Sequence, residues 1–386
     1  LSQWMRVIYN LTENFIYNRP EEYIRSIQAI ESILPVSNKI LEYLSDPQNK
    51  LSGFPDVQIY EEKVKANLIL KGDDWWNAIQ DIENAVSKGY EDSQMNYVLG
   101  NSKFLIDDFS GAILAYDKAV TQGINHEVIF NNRGKAKFNT DKFQESITDY
   151  DKAIQLKADY SKAWYNRGDA KYALKNYEAA ITDYEKVIDQ NAADKQLYFM
   201  LGTAQYFIEA YQKAVDNLSI GISKGVEDKL AFYCRGNAFY YLEKYKEAIS
   251  DLDISIKAGE MDQLSFYNRG SAKYHLQDYD GTIADLGRAI EMGASDALVY
   301  NWRGHAYYEI RKFNEALVDL NQAIAGDANF AQAYGHRANT KFMMKDYESA
   351  LTDYVKGINL GLKDPVIFNN KGKTLYLLER YNAAIS

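Results

Sequence analysis

The chain is poor in cysteine, proline and histidine. Its 386 residues hold one Cys, five Pro and four His. A single cysteine cannot build an internal disulfide framework or seed a Cys-rich zinc site. The histidines, His126, His275, His305 and His336, include no pair spaced three or four residues apart, so no helical metal pair is present. Positive charge is also short. Lys plus Arg total 44 against 54 Asp plus Glu, a net charge of −10. With no run rich in Lys or Arg, that balance argues against a duplex-DNA binder that neutralises phosphates, and direct nucleic-acid binding is not expected. No stretch approaches the roughly 18 apolar residues of a membrane helix. The glycines stand singly, so no Gly-rich phosphate loop occurs. Cys234 has no nearby sequence partner and reads as a small packing residue. Nothing here argues for catalysis, for a metal or for a cofactor.

What the chain has in quantity is tyrosine, with 32 copies, and repetition. Trp164-Tyr165-Asn166-Arg167-Gly168 returns as Phe266-Tyr267-Asn268-Arg269-Gly270. The glycine recurs every 34 residues, at Gly100, Gly134, Gly168, Gly202, Gly236, Gly270 and Gly304, then as Ala338, then Gly372. This register divides residues 59–386 into nine full units, 59–92 through 331–364, and a cut-off tenth, 365–386. Within a unit, small residues hold positions 8 and 20, and usually 27, while an aromatic fills position 17. That pattern predicts two antiparallel helices, A and B. Small residues let the backbones approach, and neither helix buries its apolar face until units stack. Asp74, Asp108, Asn176, Asp278 and Asp346 are expected N-caps for helix B. The glycines at position 31, such as Gly123 and Gly225, are expected to end it.

The period and the small residues at 8, 20 and 27 resemble the tetratricopeptide repeat. Segments such as Ala163-Trp164-Tyr165-Asn166-Arg167-Gly168 and Tyr177-Glu178-Ala179-Ala180-Ile181 look like that family's consensus. The family's usual Pro at position 32 is missing throughout. The resemblance implies an all-α fold, a right-handed superhelical solenoid of 34-residue helix pairs. It also implies that the A helices line a concave groove that binds a protein or peptide segment. The expected function is a protein-interaction scaffold, not an enzyme, and the expected location is the cytoplasm.

Residues 1–58 do not repeat and read as a helical cap or the end of an upstream domain. Trp4, Arg6, Asn10-Leu11, Glu13-Asn14, Pro20, Ile24 and Ile27, with Glu61-Glu62, Lys65-Ala66 and Leu70, resemble the helical part of GmrSD-type restriction nucleases. That resemblance implies an alternative, in which the repeats recruit or regulate for a nuclease domain preceding Leu1. The chain starts without Met and stops at Ser386 within a helix B, so both ends are expected to be cut. A third expectation is self-association, because an uncapped last helix A leaves an apolar face for another copy.

Two patterns rise above the repeat background. Position 7 carries Arg133, Arg167, Arg235, Arg269, Arg303 and Arg337, and position 23 of the same six units carries Asp149, Asp183, Asp251, Asp285, Asp319 and Asp353. Where position 7 is Leu99 or Leu201, position 23 is Ala115 or Asn217. The repeats thus test their own covariation, and they predict an Arg–Asp bridge between helices A and B of one unit. The first unit pairs Lys65 with Asp81 in the same places.

The second pattern is aromatic. By the family's geometry, positions 2, 5, 9, 12 and 13 face the groove. The expected site centres on 161–296, with Tyr165, Phe199, Tyr233 and Tyr267 at position 5 as exposed anchors. Tyr172, Tyr206, Tyr240 and Tyr274 at position 12 either join them or pack against neighbouring helices, and Phe207 and Tyr241 add to the site at position 13. Asp169, Thr203, Asn237 and Ser271 at position 9 are expected to hydrogen-bond a ligand's backbone, with weak salt dependence. Such a ladder suits an extended segment better than a compact small molecule. The family's carboxylate clamp is not expected: Lys63 and Asn67 fit it, but Val98, Val128 and Asn132 do not.

Overall fold

The computed structural model describes residues 91–259 and 261–380, with 79, 80, 82–84 and 86. The proposed cap over 1–58, the nuclease-like residues, Asp74, the Lys65–Asp81 pair and the last helix B near Ser386 lie outside the described residues. The last helix A, Pro365–Leu377, on which the face for self-association is expected, is described, and its Val366, Phe368, Tyr376 and Leu377 are exposed. Among the described residues the regular structure is all α-helical.

The chain divides into two compact units between Ala192 and Ala193. The first holds α1 (Ser93–Leu105), α2 (Phe109–Thr121), α3 (Glu127–Phe138), α4 (Phe143–Leu156), α5 (Ser161–Ala173) and α6 (Tyr177–Asp189). The second holds α7 (Lys195–Phe207), α8 (Tyr211–Ser223), α9 (Lys229–Tyr241), α10 (Tyr245–Lys257), α11 (Gln263–His275) and α12 (Tyr279–Glu291). It continues with α13 (Ala297–Glu309), α14 (Phe313–Gly326), α15 (Ala331–Met343), α16 (Tyr347–Asn359) and α17 (Pro365–Leu377). Odd numbers are A helices and even numbers B helices. Within each unit an A helix packs on the B helix of its own repeat, and that B helix packs on the next A helix.

The ends follow from side-chain chemistry. Asp108, Asn176, Asp278 and Asp346 each accept a backbone N–H of their own B helix. Asp92, Asp194, Asp228, Asp262, Asp296 and Asp364 do the same for A helices, satisfying donors that a helix start leaves open. After most B helices the chain turns through a left-handed residue, as at Gly123, whose φ is 107°, whereas Lys157 and Asp327 leave theirs in extended conformation. The tighter A-to-B turn also needs positive φ, yet it uses side-chain-bearing residues, Glu209 and Glu243 among them.

The position-8 glycine sets how closely A and B approach. A Cβ placed on Gly168 would stand 2.5 Å from the Tyr184 ring, and one on Gly202 would stand 2.6 Å from Leu218. The core is therefore built around position 24, where Tyr116, Tyr150, Tyr184, Leu218, Leu252, Leu286, Leu320 and Tyr354 are all fully buried.

Candidate functional site

All six expected Arg–Asp pairs form. The arginine Nε donates to the aspartate Oδ2 of its own repeat at 2.6–3.0 Å, and Nη2 donates to Oδ1. This is the bidentate fork that a planar guanidinium offers. The aspartates are buried, Asp183 to 1% side-chain exposure. Lys137, Lys171, Lys273 and Lys341 add a second cation to four of them. The arginine also stacks on the aromatic three residues before it, as Arg167 does 4.6 Å from the Trp164 ring centroid. These guanidiniums are committed within the fold, so they do not form an open arginine ladder for a ligand.

Five of the six arginines have a third task. Their Nη1 reaches the preceding repeat, where Arg133 meets Asp117, Arg167 meets Asp151, Arg235 meets Ser219, Arg269 meets Asp253 and Arg337 meets Asn321. Arg303 faces Gly287 in that place, and a Cβ there would stand 3.6 Å from its Nη1. Gly287→Asp should therefore stabilise the second unit by roughly 0.5–1 kcal/mol, from helix propensity and one partly exposed ion pair. Urea unfolding checks it, and the gain should shrink in an Arg303→Met background.

Position 9 departs from expectation. Thr203, Asn237 and Ser271 are fully buried. Thr203 donates to the Met200 carbonyl, Ser271 to the Tyr267 carbonyl, and Asn237 accepts from Asn268 Nδ2 at 2.8 Å. Asn237 Nδ2 finds no acceptor, but at zero exposure it is out of a ligand's reach. Asp169 accepts from the Tyr184 hydroxyl at 2.8 Å, across its own helix pair. The physical reason is the neighbouring A helix, whose position-6 residue covers position 9. Asn132 to Asn101 and Asn370 to Asn339 repeat the Asn268–Asn237 bond. Asp169 and Asn237 are thus linkers inside the fold, and the weak salt dependence inferred from position 9 loses its basis.

Position 5 is mixed. Phe199, at 6% exposure, belongs to the core with Leu218 and Cys234, and is not an exposed anchor. Tyr233 and Tyr267 are half-buried, and their hydroxyls donate to the N-cap carboxylates Asp262 and Asp296 of the next A helix. Burial raises both phenols. Tyr165 is half-buried and lies in the first unit with Asp169 and Tyr172, whereas the other expected site residues lie in the second. Position 12 mostly packs within its own repeat: Tyr172 meets Tyr177, Tyr206 meets Tyr211 and Tyr240 meets Tyr245.

Position 13 is where rings reach the surface. Phe207 is 42% exposed and Tyr241 44%. Tyr241 stacks on Tyr211 of the preceding repeat at 4.6 Å, and one repeat on, His275 stacks on Tyr245 at 4.5 Å. With the position-12 rings these contacts make one unbroken chain. It runs from Phe207 through Tyr206 and Tyr211 to Tyr241, then through Tyr240 and Tyr245 to His275. Tyr274 carries it on to His305 and His336. The first unit has Leu105, Asn139 and Ala173 at position 13, so that position supplies no ring there.

Three family models match stretches of the chain: tetratricopeptide repeat over residues 161–192, TPR repeat over 134–175, and tetratricopeptide repeat over 233–297. The chain carries tetratricopeptide repeats. Similar solved structures include the C-terminal part of a TPR repeat-containing protein from Cytophaga hutchinsonii, 14% identical, covering 72% of this chain and 98% of its own, with a TM-score of 0.44. MamA from Desulfovibrio magneticus RS-1 is 19% identical and covers 44% of this chain and 96% of its own, with a TM-score of 0.38. YrrB, described as a TPR protein with an unusual peptide-binding site, is 16% identical over 69% of this chain and 98% of its own, with a TM-score of 0.26. No curated protein matches the chain. The tetratricopeptide repeats themselves support a protein-interaction scaffold. Among its described residues no helix is long and apolar enough to cross a membrane. Among them, too, no group of three or more His, Cys, Asp or Glu is placed to hold a metal ion.

Proposed function

We infer that the chain is a non-enzymatic scaffold, and that its second unit holds a segment of a partner protein on the ring chain between Phe207 and His275. The observation that carries this reading is the pair of stacked rungs, Tyr211–Tyr241 and Tyr245–His275, set one repeat apart, each with one exposed ring, Tyr241 or His275. Tyrosine gives broad contact area with few rotors to freeze, and its polar tip tolerates water when the face is empty. The rings are held in place by their own contacts, so little order remains to be imposed on binding. Tyr233 and Tyr267 each fasten one repeat to the next through Asp262 or Asp296.

Selection of a random displayed peptide library on the full chain tests the reading. Peptides enriched by the native protein should be lost on Tyr241→Ala, which removes an exposed ring and should leave the thermal unfolding profile unchanged. The reading fails if the enriched peptides bind Tyr241→Ala and a Tyr211→Ala variant as well as they bind the native chain.

A further inference from the structure

The face between Phe207 and His275 carries a charge pattern as well as rings, and the pattern says what kind of segment belongs there. The A-to-B turns beside the rungs expose Glu209, two residues before Tyr211, and Glu243, two residues before Tyr245. Both stand close enough to act electrostatically on the rings. Apart from burial, Glu209 is the main influence raising the Tyr211 phenol, and Glu243 does the same for Tyr245. Four cations of this region are engaged with other groups. Lys244 lies 5.9 Å from the Phe239 ring, Lys273 is bound to Asp285, and Arg235 and Arg269 are held by Asp251 and Asp285. The turn position reads Glu209, Glu243, Gln277 and then Arg311, so the acidic character belongs to the first two rungs and reverses beyond them.

We propose that this face binds an extended basic segment of a partner protein, with Lys or Arg side chains laid over the Tyr211–Tyr241 and Tyr245–His275 rungs and answered by Glu209 and Glu243. The inference rests on the aromatic face being the binding face. A cation over an aromatic face is attracted by the ring quadrupole, and an adjacent carboxylate strengthens the site without requiring burial of the charge. The spacing of the repeats sets the spacing of the basic residues. Successive A helices of the second unit touch, and packed helices lie about 8–10 Å apart. An extended or polyproline-type chain advances about 3.1–3.3 Å per residue. Basic side chains about three residues apart therefore meet successive rungs. The overall charge of −10 favours the encounter with such a segment.

Fluorescence titration of the full chain with three labelled nine-residue peptides tests this: three Arg-Pro-Pro triplets, and the same peptide with Gln or with Glu in place of Arg. The Arg peptide should bind at least tenfold tighter than the Gln peptide, and the Glu peptide should not bind. Binding should weaken several-fold between 50 and 300 mM salt, roughly the range over which screening shortens below the size of the site. Tyr241→Ala and the double variant Glu209→Gln/Glu243→Gln should each weaken the Arg peptide at least fivefold, with native unfolding profiles. If the Gln peptide binds as well as the Arg peptide and both are lost on Tyr241→Ala, the aromatic face stands and the basic segment is overturned. If the Arg peptide binds but ignores Tyr241→Ala, general charge attraction explains it and the proposal is overturned. No binding of the Arg peptide also overturns it, while the library selection still decides the face.

Discussion

Asp319→Ala will destabilise the second unit by about 3–5 kcal/mol, the range for breaking a buried ion pair by removing one partner. Asp319 is 3% exposed and takes two hydrogen bonds from Arg303, at 2.7 and 2.8 Å. Arg303 is the arginine of the series that faces Gly287, where the others meet a polar residue of the preceding repeat. Its remaining neighbours are the Tyr300 and Tyr307 rings, each 6.0 Å away, which solvate a cation far less than a carboxylate does. Removing Asp319 therefore strands a guanidinium that keeps only 18% of its side-chain exposure. Two further variants separate a stranded charge from a lost contact. Arg303→Met/Asp319→Leu removes both charges and fills the space, so it should recover most of the loss. Gly287→Asp in the Asp319→Ala background returns a carboxylate to Arg303 and should recover part of it. Repeat arrays unfold as nearest-neighbour sums, so the quantity to follow is the urea transition of the second unit rather than one global midpoint. A loss below 1 kcal/mol would show that the pair acts like an exposed surface bridge.

The same pairs show what a repeat sequence makes legible. Each unit is a separate trial of one structure, so Arg133–Asp149 and its five equivalents could be read against Leu99–Ala115 and Leu201–Asn217 without any other protein. The helix-B caps were legible because Asp108 and Asp278 act within three residues of themselves. The face was less legible. Positions 5, 9, 12 and 13 share one side of helix A, but the next A helix covers part of that side, and the sequence alone does not mark where the cover ends. Thus Asn237 is buried under Asn268, and Phe199, lacking a hydroxyl to reach the next cap, sinks into the core. A signal was present in the register: Asn101 precedes Asn132, Asn237 precedes Asn268 and Asn339 precedes Asn370, each by 31 residues. Tyr233 before Asp262 and Tyr267 before Asp296 recur at 29 in the same way. Contacts between repeats leave these fixed offsets just as contacts within one do.

The second large effect is acidic. In α13 and α15 the Asn–Asn link is replaced by two histidines, His305 at position 9 and His336 at position 6, whose rings stack at 4.1 Å. His336 Nδ1 lies 2.9 Å from Asn301 Oδ1, and His305 Nδ1 lies 2.9 Å from the Tyr274 hydroxyl. Burial pushes His305 down to about 4. Burial, and then the nearness of His305, hold His336 well below the usual imidazole range. Both are therefore neutral when folded at pH 7, while an unfolded histidine titrates near 6.5. The sign follows from proton counting. Below about pH 6.5 the unfolded chain binds protons that the folded chain refuses, so stability is full above that pH and falls as the pH drops toward 4. By pH 5 His305 alone accounts for about 2 kcal/mol, and His336 adds to it. Glu309, 3.2 Å from His305 Nε2 and itself raised by burial, works in the opposite direction by taking a proton early, and so limits the total. Tyr274, raised to about 12, stays neutral throughout. The protein supplies its own control, since Asn237 and Asn268 hold the positions in their repeats that His305 and His336 hold in theirs. His305→Asn/His336→Asn should fold, and its urea midpoint should fall less between pH 7.5 and pH 5 than that of the native chain. Equal pH slopes in the two proteins would place the acid sensitivity in other groups and leave the histidine stack a packing contact alone.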